Sequence, residues 1–256
     1  MSREPGAGAD LVLLHGFTGS SAAWGADVVD GLSSAGRSPV LVDLPGHGRH
    51  AGVVAPWRFT VEAVAADILR YVTRGPVDLV GYSMGGRLAL DFAVTYPHRV
   101  RRLVLESASP GLETDEERAR RRADDEELAK RLEEEGIESF VDYWEDLPLF
   151  ESQKALPGDV RAAHRAGRLR NHAPSLAAAL RGLGTGSLPS RWNALGHCPV
   201  PTLILAGELD TRYVSVGERM QARMPSARLV VVRGAGHTVH LEKPAAWVEA
   251  VVGFLA

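Results

Sequence analysis

At 256 residues, with 45% apolar residues and a formal net charge of −3, the chain has the size and composition of one large α/β domain with a sizeable core. That charge argues against a nucleic-acid binder or a membrane-surface protein, and no apolar run is long enough to span a bilayer. A single cysteine, Cys198, excludes an internal disulfide and any cysteine-based metal cluster; just before Pro199 and a strand, it reads as a half-buried structural thiol. Residues 1–9 are polar and rich in Gly and Ala, without an apolar core, so no signal peptide is expected and a cytoplasmic location follows.

Asp10 to Leu14 reads as a short apolar strand ending in His15-Gly16-Phe17-Thr18-Gly19-Ser20. A helix is predicted from Ser21 to Ala35, with Gly36 as its stop. Val40 to Leu44 is a second strand, ending in Pro45-Gly46-His47-Gly48. A helix follows from Thr60 to Val72, its first turn capped by Thr60 and made acidic by Glu62. Val77 to Val80 is the next strand, followed by a helix to Ala93, and Val100 to Glu106 is a further strand. Short, continuously apolar strands alternating with helices predict a mostly parallel sheet covered on both faces.

From Pro110 to Pro189 the rhythm changes, because no convincing strand is present. Glu113 to Glu135 is dense in charge, with Glu116–Arg120, Glu117–Arg121, Glu126–Lys130 and Glu127–Arg131 spaced for i,i+4 pairs on a solvated helix. Phe140 to Phe150 is aromatic-rich, and Ser175 to Leu183 is another helix. The alternation resumes with a strand at Thr202 to Ala206, a helix at Val214 to Met224, a strand at Arg228 to Arg233 and a closing helix at Ala245 to Leu255. The expected division is therefore a core of residues 1–109 and 190–256 with an all-helical cap, residues 110–189, over the site.

The stretch that organises the rest is Gly81-Tyr82-Ser83-Met84-Gly85, between the third strand and its helix. The glycines remove side chains that would block a sharp strand-to-helix reversal, which holds Ser83 exposed at the apex. A serine needs a histidine to take its proton and an acid to orient that histidine. Asp210 and His237 each lie just past a predicted strand, on the same sheet edge as Ser83. Glu106, also at a strand end, is the alternative acid, whereas Asp43 is expected to order its own loop. Two backbone N–H groups, of Met84 and of Phe17, are the candidates for an oxyanion hole.

The order Ser83, Asp210, His237, with Leu14-His15-Gly16-Phe17, Asp43-Leu44-Pro45-Gly46-His47-Gly48 and Gly236-His237, resembles the α/β-hydrolase superfamily along the whole chain. A finer set is Gly81-Tyr82-Ser83-Met84-Gly85-Gly86-Arg87, Glu106-Ser107-Ala108-Ser109-Pro110-Gly111-Leu112, Tyr143-Trp144, Leu169-Arg170-Asn171 and Gly184-Thr185-Gly186-Ser187. It resembles the 2-succinyl-6-hydroxy-2,4-cyclohexadiene-1-carboxylate synthase family, the pyruvate-eliminating lyases of menaquinone biosynthesis. The resemblance implies a small-molecule partner with three carboxylates, and arginine holds carboxylates bidentately. Arg87 just past the serine, Arg121 in the first cap helix and Arg170 before Asn171 match family arginines. Arg118, Arg120 and Arg122 crowd Arg121, and Arg168 is the fallback for Arg170. Trp144 and Tyr82 match pocket-lining residues, although Trp144 could equally pack cap on core.

The implied reaction is proton abstraction by Ser83, activated by His237 and Asp210, followed by loss of pyruvate. No metal or organic cofactor is implied, since no ligand cluster of Cys, His and carboxylates is present. Two other readings use the same fold: a serine hydrolase of esters or carbon–carbon bonds, and a catalytically silent binding protein. Three arginines directed at one pocket argue against the first and a complete triad against the second. Oligomeric state is not encoded in any pattern recognised here.

Overall fold

The structure is a computed structural model that describes residues 10–73 and 75–256, so the expectation for residues 1–9 lies outside the described residues. The chain begins with β1 (Leu11–Leu14), α1 (Gly25–Ser34), β2 (Pro39–Val42), α2 (Val61–Leu69), β3 (Val77–Tyr82), α3 (Met84–Thr95) and β4 (Val100–Glu106). It continues through α4 (Asp115–Glu145), α5 (Gly158–Leu169) and α6 (Ala173–Leu183). It closes with β5 (Thr202–Gly207), α7 (Thr211–Arg223), β6 (Ala227–Val232), α8 (Val239–Glu242) and α9 (Pro244–Leu255).

Among the described residues the strands form one sheet in the order β2-β1-β3-β4-β5-β6, and every pairing is parallel. Apolar residues fill both faces of the central strands. Leu11, Leu13, Val80 and Val104 pack with Trp24 and Trp247 on one side, while Val12, Leu14, Leu79 and Leu105 pack with α2 and α3 on the other. The register sets Tyr82 beside Glu106 and Gly207 beside Val232. The loops after β1, β3, β4, β5 and β6 therefore open along one edge, where parallel sheets build their sites.

Several elements differ from expectation. The helix expected at Ser21 opens as a 3-10 turn, Ser21–Trp24, capped by the Ser20 hydroxyl; Gly25, at φ 70°, ends that turn and begins α1. Thr60 caps α2 as predicted, its hydroxyl accepting from the Ala63 N–H at 3.2 Å. Residues 110–189 contain α5, which the sequence did not announce because its apolar positions are Val, Ala and a lone Leu.

The four i,i+4 pairs expected along α4 are not formed among the described residues. Glu117 instead closes a capping box with Thr114, and Glu126 reaches across to Arg181 of α6, which also holds Glu133. Glu127 pairs with Lys130 three residues on, and Arg121 turns to Asp125. Cross-helix arginine pairing wins because α4 packs along α6 over Ala129, Leu132, Phe140, Leu176 and Leu180. Gly136, at φ 81° and ψ 179°, breaks α4 into a charged first half and an aromatic second half.

Two glycines fix the turn after β3. A Cβ on Gly81 would fall on the Gly85 carbonyl oxygen, and one on Gly85 would fall on the carbonyl oxygens of Leu14 and His15. Backbone meets backbone there, with no flexible side chain to give way. Gly85→Ala is accordingly expected to cost about 1–3 kcal/mol by overpacking, and about 2–4 °C of melting temperature per kcal/mol. Thermal unfolding of the variant checks this; an unchanged melting temperature would mean that the loop after β1 yields freely.

Candidate active site

Ser83 sits at the turn with φ 51° and ψ −108°, a conformation L-residues rarely adopt. Its N–H is held by the Glu106 carbonyl at 2.9 Å. Its hydroxyl lies 3.1 Å from His237 Nε2, and His237 Nδ1 lies 2.6 Å from Asp210 Oδ2. The second oxygen of Asp210 accepts from the Tyr213 N–H at 3.3 Å, so the same carboxylate caps α7. His237 is enclosed by the rings of Tyr82, Phe150 and Tyr213, and both it and Asp210 are buried.

Glu106 does not take the acid position. Its oxygens are committed to His240 Nδ1 at 2.9 Å, the His240 N–H at 3.1 Å and Trp247 Nε1 at 2.8 Å. Asp43 orders its own loop, accepting from the Ser21 N–H at 2.6 Å and from Arg49.

Phe17 and Met84 both line the cavity above Ser83, and neither N–H is given to another group among the described residues. The Gly16 carbonyl is held away by His15 Nδ1 at 2.8 Å and by the Gly19 N–H at 3.1 Å. Across a planar trans peptide the N–H points opposite to the carbonyl, so the Phe17 N–H is turned away from those two bonds. His15 Nε2 accepts from the Leu44 N–H at 3.1 Å, so its tautomer is set, with the proton on Nδ1.

His47 packs against His15 with ring centroids 5.1 Å apart, and its Nδ1 meets the Pro45 carbonyl at 2.9 Å. Burial, reinforced by the neighbouring His15, holds His47 down to a pKa of about 3, and burial lowers His15 too. A depressed histidine takes up its proton on unfolding at any pH between about 3 and 6.5, so its stability contribution is intact above 6.5 and is lost as pH falls through that window. His47→Asn is expected to flatten the fall of unfolding free energy there by up to about 1.4 kcal/mol per pH unit, measured by urea titrations at a series of pH values. Parallel profiles for the two proteins would show that His47 is already protonated when folded.

The cavity over Ser83 measures about 450 Å³ and is bounded by Phe17, Tyr82, Trp144, Phe150, Tyr213 and Trp192, with arginines among them. Tyr82 offers it a ring face only, because its hydroxyl is engaged by Thr238 at 2.7 Å. Trp144 stacks on Phe140 and meets Phe17 edge-on, and its indole Nε1 is buried without a partner. Arg87 lines the cavity; its Nε is buried and unpartnered, and burial lowers its pKa. Arg121 lines it as well, with Nε on Asp125 at 2.8 Å, while Arg118 and Arg122 border a different groove.

Arg170 is the correction. It lines a separate cavity with Trp24, Leu156 and His164, away from Ser83. The fallback, Arg168, does not serve either: it donates to Glu145 at 3.0 Å and covers the Phe150 ring. The residues missed in the sequence are Arg212 and Arg219, exposed side chains of α7 that line the Ser83 cavity. Their spacing, one face of a helix that begins at the candidate acid, was the signal available. Among the described residues no group of three or more His, Cys, Asp or Glu is placed to hold a metal ion. No helix among them is long and apolar enough to cross a membrane.

This combination of a parallel sheet, a strained serine turn and a helical insertion over the sheet edge defines a class, and the chain belongs to the α/β-hydrolase family. The profile described as "Alpha/beta hydrolase family" matches residues 11–251. Within that class, the chain is 41% identical over 254 residues to a Bacillus subtilis (strain 168) protein provisionally named 2-succinyl-6-hydroxy-2,4-cyclohexadiene-1-carboxylate synthase, covering 98% of this chain and 92% of that one. It is 33% identical over 256 residues to the enzyme of that name from Salmonella schwarzengrund (strain CVM19633), covering 100% and 96% of the two chains. The solved structure of MenH from S. aureus superposes with a TM-score of 0.89 at 35% identity, over 99% of this chain and 96% of that one.

Proposed function

We propose that the protein is a cytoplasmic lyase acting in menaquinone biosynthesis. It eliminates pyruvate from 2-succinyl-5-enolpyruvyl-6-hydroxy-3-cyclohexene-1-carboxylate and leaves 2-succinyl-6-hydroxy-2,4-cyclohexadiene-1-carboxylate. The observation that carries this reading is a single cavity in which the hydrogen-bonded serine faces arginine and indole donors that lack internal partners. A trianionic ring compound supplies what those donors lack. The named relatives point to the same reaction.

In this mechanism Ser83, with His237 accepting its proton and Asp210 orienting the imidazole, removes the ring proton beside the succinyl ketone. The ketone oxygen gains charge as an enolate and is held by the N–H groups of Phe17 and Met84. Collapse of the enolate shifts the ring double bond and breaks the carbon–oxygen bond to the enolpyruvyl group. The departing enolate takes a proton at carbon and becomes pyruvate, so no net proton is consumed. No acyl-enzyme forms and no cofactor takes part in this scheme. The helices between Pro110 and Pro189 act as the cap that keeps water from the enolate, with residues 1–109 and 190–256 as the core.

The test is pyruvate release from substrate generated in situ by the upstream enzyme, with p-nitrophenyl acetate hydrolysis run in parallel. Rapid pyruvate release with slow ester cleavage supports the lyase. Brisk ester cleavage without pyruvate would make the protein a serine hydrolase.

A further inference from the structure

Four arginines line the cavity over Ser83: Arg87, Arg121, Arg212 and Arg219. They are not equivalent. Arg219 pairs with Glu113 and lies over the Trp192 ring at 4.4 Å, so its charge is already balanced. Arg121 is half committed, through Nε, to Asp125. Arg87 has no acidic partner among the described residues, and neither has Arg212.

Arg212 stands in the first turn of α7, two residues beyond Asp210 and next to Tyr213, whose ring lies 4.8 Å from that of His237. The carboxylate of Asp210 caps this turn, so the backbone that carries Arg212 is fixed relative to the serine. Burial chiefly disfavours the Arg87 charge; Arg121 and Arg212 add repulsion, which Tyr213 and Asp125 oppose. Glu117 also lines the cavity, its carboxylate held by the N–H groups of Glu113 and Thr114, and Arg212 is exposed at the rim, so among the described residues Arg87 and Arg212 are the lining guanidinium groups without an acidic partner. On the opposite side of the cap Arg168 is neutralised by Glu145, and Arg170 opens into a separate cavity.

We propose that Arg212 is the third cation of the binding pocket and a specificity-determining residue, holding one carboxylate of a polycarboxylate ligand on the α7 side of Ser83. This inference rests on the polycarboxylate reading of the pocket and adds the direction in which the ligand's charge is laid. The anion spans from Arg87 and Arg121 to α7, and α5 contributes no cation to it.

The experiment uses Arg212→Gln in the full-length protein, which keeps a polar side chain and removes the charge. Two measurements are made: the kinetics of pyruvate release, and protection of Ser83 from a fluorophosphonate by benzene-1,2,4-tricarboxylate, with benzoate as the single-charge comparison. The expected result is a KM raised about tenfold or more with a much smaller change in kcat. Protection by the tricarboxylate should weaken by a similar factor, protection by benzoate should change less than about twofold, and Arg212→Lys should recover part of the loss. Unweakened protection in Arg212→Gln, where Arg87→Gln does lose it, would overturn the role of Arg212 and leave the polycarboxylate reading standing. A slower labelling rate without any protector would also overturn it, since Arg212 would then act through Tyr213 and His237. No pyruvate and no tricarboxylate protection in the unaltered protein would instead remove the reading on which the inference rests.

Discussion

Ser83→Ala is expected to lower the rate of pyruvate release at least about a thousandfold while leaving KM near its original value. In the proposed mechanism the serine is the group that meets the reacting proton, and its hydroxyl is the partner of a histidine whose two ring nitrogens are both engaged, Nδ1 by Asp210 and Nε2 by Ser83. Removing one oxygen does not disturb the cavity wall, because Phe17, Trp144 and Arg121 are anchored elsewhere. Binding should survive and chemistry should not. Relief of the φ 51° backbone does not follow, since alanine has the same Cβ, so the melting temperature should stay within a few degrees. Single-turnover pyruvate release and a thermal scan decide the matter. A variant keeping more than about a tenth of the activity would move the base to another group.

Arg87→Ala is expected to lower kcat/KM by about a hundredfold, the effect of losing a charge-assisted, carboxylate-binding donor whose Nε is buried. The loss should fall mainly on KM, because Arg87 lies a turn away from Ser83 and, in the proposed mechanism, meets the ligand's charge rather than its reacting carbon. Arg87→Lys should recover little, since a lysine offers no counterpart to the buried, unpartnered Nε. Stability should move the other way. An unpaired guanidinium with a depressed pKa is a burden on the empty protein, so Arg87→Met is expected to raise its melting temperature by a few degrees. Equal or lower stability in Arg87→Met, measured without ligand, would show that solvent or a bound anion already satisfies the charge.

The residues whose mutual placement was legible in the sequence are those fixed by backbone geometry. Ser83, Asp210 and His237 each follow an apolar strand, and parallel strands of similar length must deliver such residues to one edge. Gly81 and Gly85 were legible for the same reason, as close backbone contacts admit no side chain. Cap residues were legible only in part. Arg121 could be matched to a position, but α5 carries Arg161, Arg165 and Arg168, with Arg170 as its C-cap, and nothing in their spacing says which face meets the core. The fold turned that helix so that Arg168 serves Glu145 and Arg170 serves a second cavity. Arg212 escaped notice because it stands beside the acid, where attention falls on the carboxylate. The surface pairs of α4 failed for a different reason: an isolated helix pairs along itself, whereas this one has α6 beside it and longer-reaching arginines to satisfy.

Glu106 has a wider reach than its rejection as the acid suggests. Its main-chain carbonyl tethers the N–H of Ser83, while its side chain is saturated by His240 of α8 and Trp247 of α9. The first half of the chain and its final dozen residues thus share one anchor, a fully enclosed carboxylate that has no solvent to turn to if the tail departs. Clipping the C-terminus ahead of Trp247, or displacing α9 with a bulky fusion, would strand that charge one bond network away from the reactive hydroxyl. Affinity tags and partner domains are therefore best attached through a spacer beyond Ala256, where the end of α9 can remain seated.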